Sequence, residues 1–145
     1  MKTVLKLGVL FLIVAAQILP ACSKKGDTVK VTLYNVLTDS SQQVHFYEEG
    51  TTDMTSDYTG YLFTFNTNGT LVVTRGALTF NGNWTLTTTS DTRLNIQFAG
   101  TGVEDVLLKL QRNWLVTDYS VSLIQLQNDD VGVGTHQILH FAPKQ

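Results

Sequence analysis

Disulfide bonding within the chain is excluded, because its 145 residues hold one cysteine, Cys22. Folding must therefore rest on a packed core. There are only two prolines, Pro20 and Pro143, and both fall outside the stretch 28–142 that reads as the domain. That interior has nothing to interrupt a sheet ladder. Charge is sparse, with 15% charged residues and a net charge of -2, and the basic residues are scattered. Nucleic-acid binding is not expected of such a surface. Motifs for chemistry are also missing. There is no Gly-x-Ser-x-Gly elbow, no His-Glu-x-x-His run and no phosphate-cradling glycine loop, since Gly132-x-Gly134 lacks a following helix. No enzyme activity or cofactor is expected.

The first 21 residues stand apart. Lys2 and Lys6 precede an uncharged, mostly apolar run over 7–16, followed by Leu19-Pro20-Ala21-Cys22. The pattern is that of a secretory signal peptide, too short for a membrane span of about 20 apolar residues. Leu-Pro-Ala-Cys resembles a bacterial lipobox, which implies that Cys22 is acylated and becomes the new N-terminus. Pro20 stands where Ala, Ser or Thr is usual. Ser23 is not the retention-type Asp, so the expected location is the outer membrane of the cell envelope, with the membrane as partner through the lipid anchor. Losing Lys2 and Lys6 from ten basic residues leaves eight against twelve acids, a net charge of -4. Residues 22–27 form a polar tether, 28–142 the domain and 143–145 a tail.

The domain is rich in Thr, Asn and Gly, a composition suited to strands and turns. Tyr61, Phe63 and Phe65 alternate with Leu62, Thr64 and Asn66, the period of a half-buried strand. Asn68-Gly69 follows, supplying the positive φ angles of a tight hairpin. Strands are expected over 42–48, 59–66, 70–74, 79–89, 93–98, 114–119, 122–127 and 137–141. In the first, Val44, Phe46 and Glu48 share one face and Gln43, His45 and Tyr47 the other. In the fourth, Phe80, Gly82, Trp84 and Leu86 share a face, with Gly82 marking a bulge or bend. Residues 50–57 read as a polar loop.

Two stretches read as helical. Over 28–37, Val29, Leu33, Val36 and Leu37 fit a helix face with Asp27 as cap, while Val29, Val31 and Leu33 fit a strand; the helix is preferred. Over 103–111, Val103, Val106, Leu107 and Leu110 fall at helical spacing. The fold class is thus all-β with one or two short helices. About eight short strands joined in sequence suggest an antiparallel sandwich or up-and-down barrel.

Several segments together carry a family resemblance. They are Thr55-Ser56-Asp57-Tyr58-x-Gly60-Tyr61-x-Phe63-x-Phe65-x-x-x-Gly69-Thr70, Gly82-Asn83-Trp84, Leu94-x-Ile96-x-Phe98, Trp114-x-Val116 and Leu139-x-Phe141. Over about residues 28–142 the chain resembles the small lipocalin-like lipoproteins of Bacteroidetes bacteria. The resemblance implies an antiparallel, up-and-down, lipocalin-like barrel of about eight strands, with a helix before the first strand. A tryptophan commonly opens that strand in the family; Gln42 stands near its place here.

An eight-stranded barrel is about the smallest that holds one small ligand, and its side chains can equally fill it. Phe63, Phe65, Trp84, Leu94, Ile96, Phe98 and Trp114 are the expected lining or core. A small apolar ligand is the favoured function, and a filled barrel serving as an envelope interaction or structural module is the alternative. No metal site is expected. His136 and His140 lie about 13 Å apart on an extended strand, and the acids at 48–49, 53, 57 and 129–130 lack calcium-loop spacing.

Overall fold

Alternating apolar and polar side chains carry most of the domain into strands. A computed structural model describes residues 31–128 and 135–145. In chain order these hold α1 (Leu33–Thr38), β1 (Gln42–Glu49), β2 (Thr52–Asp53), a 3-10 turn (Thr55–Tyr58), β3 (Leu62–Phe65), β4 (Thr70–Arg75), β5 (Leu78–Thr87), β6 (Arg93–Phe98), α2 (Asp105–Leu108), β7 (Asn113–Tyr119), β8 (Ile124–Asn128) and β9 (Gln137–Pro143). The expected signal peptide, tether and Cys22 lie outside the described residues, as do Asp27, Val29, the acids Asp129 and Asp130, and the Gly132-x-Gly134 loop.

All pairings are antiparallel, and successive strands are neighbours from β3 to β9. The last strand returns to the first, from Gln42↔Pro143 to Glu49↔Gln137. With β2 only a short hairpin arm on β1, the result is a closed eight-stranded barrel with two short helices. Closure removes the exposed edges that an open sheet would present. The thinnest seam is β1 to β3, which are bridged only at Gln42↔Phe63.

One end of the barrel is closed by α1. Its cap is Thr32, whose Oγ1 accepts the Asn35 N–H, and it begins later than expected. Leu33, Val36 and Leu37 face inward, the three described members of the expected apolar stripe. Gln42, which opens β1, is fully buried under the helix. Its Nε2 donates to the Val36 carbonyl at 2.8 Å and to the Ser40 carbonyl at 3.1 Å, tying α1 to the first strand. The other end is covered by the 3-10 turn and α2. The helical turn keeps only four of the nine residues expected, and Gly102 precedes it at φ 87°.

Five local expectations change. In β1 the register against β9 shifts between Val44 and Phe46. One extra residue in a strand reverses the alternation beyond it. Tyr47 therefore points into the core, fully buried, and does not share the exposed face of His45 as expected. Gly82, by contrast, makes no bulge, since the ladders on both sides of it run without a shift. At the β3–β4 turn only Gly69 takes a positive φ, 84°, and Asn68 does not. Asn66 and Thr70 pair around a three-residue loop, with Gly69 N–H donating to the Asn66 carbonyl. That is the type I turn closed by a left-handed glycine rather than the two-residue form. The polar stretch 50–57 contains β2 and most of the 3-10 turn, and β9 extends to Pro143.

Candidate functional site

The barrel interior is the natural place to look for a site, and aromatic rings run its length. From the α1 end, Tyr34 lies 5.6 Å from Trp84, centroid to centroid. Trp84 meets Phe65 edge-on at 5.6 Å, Phe65 meets Phe141 at 5.7 Å, and Phe141 meets Phe63 at 5.1 Å. Tyr61, Tyr58 and Tyr47 continue the series toward the α2 end. These are contact distances for edge-to-face rings. Phe63, Phe65 and Trp84 are thus linked ring to ring.

Leu94, Ile96 and Trp114 are buried in the same core, and Phe98 packs at its margin, half-buried. Trp84 and Trp114 also satisfy their indole N–H groups, on the carbonyls of Asn66 and Leu110 at 3.0 and 2.9 Å. The expected lining omits five buried rings, Tyr47, Tyr58, Tyr61, Phe80 and Phe141. Phe141 joins Phe63 to Phe65, and its alternation with Leu139 already marks it as inward. Tyr47 was hidden by the bulge.

Polar groups gather at the α2 end. Gln137, fully buried, donates from Nε2 to the Tyr47 hydroxyl at 3.3 Å and to Glu49 Oε1 at 3.1 Å. Asn128 Nδ2 donates to Gln137 Oε1 at 3.0 Å, and Lys109 Nζ to Glu49 Oε2 at 3.1 Å. Tyr58 donates to the Val106 carbonyl at 2.9 Å, and Tyr61 to Glu104, which also pairs with Arg75. The Arg75 guanidinium sits 4.6 Å over the Tyr61 ring. These bonds fasten α2 to the barrel, joining groups that would be costly to bury unpaired.

Burial pushes the Tyr47 phenol up to about 12, with the Glu49 charge adding to the effect, and burial also raises Tyr58. The Lys109 hydrogen bond holds the Glu49 carboxyl below its ordinary value. None of these three shifts moves a group toward neutral pH, where general acid–base catalysis works best.

The two phenols give a test of this packing. They stay protonated in the fold, whereas the unfolded chain's tyrosines ionise from about pH 10. The contribution of Tyr47 to stability is complete below pH 10 and is lost as the pH rises through about 12, and that of Tyr58, which burial raises further, persists to higher pH. Urea midpoints measured from pH 8 to 12 should fall steeply above 10, and Tyr47→Phe should flatten the fall. An unchanged slope in that variant would contradict the burial assigned to Tyr47.

Among the described residues no group of three or more His, Cys, Asp or Glu side chains is placed to hold a metal. His140 packs against Phe46 at 5.3 Å. Burial lowers its pKa, and the nearby His45 lowers it further. No described helix is long and apolar enough to cross a membrane.

Among the described residues, three solvent-open hollows are lined at the surface. One, of about 350 Å³, follows the thin β1–β3 seam past Val44, Gly60 and Tyr61. The other two adjoin at the α1 end and share Val121 and Pro143.

Fold and interior together define a closed antiparallel barrel with an aromatic core, capped at both ends. No protein-family model matches the chain, and no curated protein does. Among solved structures it is similar to a DUF4847 family protein from Bacteroides vulgatus, at 13% identity and a TM-score of 0.57, covering 77% of this chain and 96% of that one. At that identity the likeness is one of fold.

Proposed function

We propose that the protein is a lipid-anchored, non-catalytic module of the bacterial cell envelope whose barrel is a packed scaffold. The observation that carries this is the ring series Trp84–Phe65–Phe141–Phe63. It favours the filled-barrel reading over the small-ligand carrier, because the aromatic side chains that would line a carrier's cup contact one another. The anchor rests on the lipobox-like Leu19-Pro20-Ala21-Cys22, and the outer-membrane placement on Ser23 after the cysteine. Lipocalin likeness, in this reading, is one of architecture.

Two measurements test the two halves. Titration with a hydrophobic fluorescent probe should leave the emission of Trp84 and Trp114 without a saturable change. Saturation at one probe per chain, abolished by filling substitutions in the core, would restore the carrier. Cys22→Ala should end palmitate incorporation and release the protein from membranes, and acylation persisting in that variant would refute the anchor.

A further inference from the structure

The α1 end of the barrel carries a cluster of apolar side chains that the core does not use. Val121, in the β7–β8 turn, is 65% exposed, and Val31, just before α1, is 43% exposed. The two line one groove of about 230 Å³ together with Val36 and Pro143. The adjoining hollow continues the surface through Leu123, Ala142 and Pro143. Tyr34 and Tyr119 are exposed on α1 and at the end of β7. Topology puts these residues at one end, since β7 runs out toward Tyr119, β8 returns from Ile124, and β9 finishes at Pro143 against Gln42. Among the described residues, the opposite end exposes Leu78 and Leu108, on separate elements.

This is also the end that residues 23–30 join. Eight residues lie between Cys22 and Val31, and the nine steps from one to the other span at most about 32 Å when fully extended. The eight residues of β1, from Gln42 at this end to Glu49 at the other, cover about 23 Å. A lipid on Cys22 therefore holds the α1 end close to the bilayer. Turning the barrel over would consume most of the reach of the tether.

We infer that the α1 rim, centred on Val31 and Val121, is a docking face for the lipid bilayer at the boundary between head groups and acyl chains. Tyrosines such as Tyr34 and Tyr119 suit that boundary, with an apolar ring and a polar tip. Lys24 and Lys25 in the tether, and Lys144 beside Ser41, add cations that favour anionic lipid. Asp39 lines the same groove, so apolar contact rather than charge dominates the docking. The anchor makes a weak contact sufficient, because it converts docking into an intramolecular event. This inference rests on the proposed acylation of Cys22.

The test uses the full chain, acylated in cells and reconstituted into vesicles of phosphatidylethanolamine and phosphatidylglycerol bearing a nitroxide near the head groups. With Cys22 taken up by lipid, Val121→Cys and Leu78→Cys each accept one fluorophore. Both positions are exposed turn or strand-end sites, so both variants should fold. The expected result is loss of most emission at 121 and little at 78. Equal quenching, greater quenching at 78, or none at either position on an acylated protein overturns the docking face while leaving the anchor intact. A blue shift at 121 that grows with protein density, without nitroxide quenching, assigns the rim to a second copy and overturns the membrane. Absence of acylation at Cys22 overturns the anchor, and the inference falls with it.

Discussion

Phe141→Ala is expected to be among the most damaging single changes in this protein, lowering folding stability by about 3–5 kcal/mol. Phe141 is fully buried and lies 5.1 Å from Phe63 and 5.7 Å from Phe65. It sits on β9, opposite Val44 of β1 and Ile124 of β8, so it belongs to the strand that closes the barrel. Truncation removes the ring that joins Phe63 to Phe65. The surrounding strands are held by ladders on both sides and cannot collapse into the vacancy, which places the cost toward the top of the range for such changes. A domain with about 5–15 kcal/mol of total stability would keep little in reserve. Urea denaturation with unchanged slope should show the loss as a shifted midpoint. Phe141→Leu, which keeps much of the volume, should cost clearly less. If the alanine variant lost under about 1 kcal/mol, an ordinary value for any site, the interior would be looser than its ring contacts imply. Hydrophobic probe binding gained by Phe141→Ala and absent from the natural chain would support the packed scaffold.

Gly82→Val is the second. A Cβ at residue 82 would stand 2.4 Å from the Gln97 carbonyl oxygen and 3.2 Å from Phe98 Cδ1. Carbon and oxygen come no closer than about 3.3 Å even in the short C–H···O contacts of sheets. The obstacle is backbone in the paired strand, so no side-chain rotation relieves it. β5 and β6 would have to separate where Gly82 faces Phe98, while Leu71 on β4 holds the other side of Gly82. Overpacking of this kind costs about 1–3 kcal/mol for a single added carbon, and valine adds two more. Hydrogen exchange should quicken first at the β5–β6 ladder, including the Ala99 amide bonded to the Asn81 carbonyl. A Gly82→Ala variant within about 0.5 kcal/mol of the natural chain, the range of an inert surface change, would show that the strands yield freely there.

The glycine illustrates what local reading can and cannot reach. A glycine inside an apolar-alternating strand is noticeable from sequence, and a bulge or bend is a reasonable expectation of it. Its actual role, making room for a neighbouring carbonyl, depends on which strand lies alongside and in what register. The register shifts that do occur, in β1 and β7, have no glycine to announce them, and the one in β1 reverses the side chains from Phe46 onward. That is why Tyr47, expected on the face of Gln43 and His45, lies within while those two are exposed. Where alternation is unbroken, as in β6 with Leu94 and Ile96, strand bounds and inward faces were legible together. The helices were legible as apolar stripes but not in length, because short helices take most of their stability from packing.

Of the candidate site, Phe63, Phe65, Trp84, Leu94, Ile96 and Trp114 could be named from alternation, since period two is a local property of the chain. Phe98 could be named as well, although it sits only at the margin. The turn at Gly69 could be located for the same local reason, a backbone position that a left-handed residue must fill. Sequence by itself thus determined that the domain is built of short antiparallel strands with one aromatic face. Tertiary structure alone decided that β9 closes on β1, that Gln42 seals the α1 end, and that Phe141 joins rings from strands distant in the chain. Those contacts depend on register between segments about a hundred residues apart, and a one-residue slip exchanges every inward side chain for its outward neighbour.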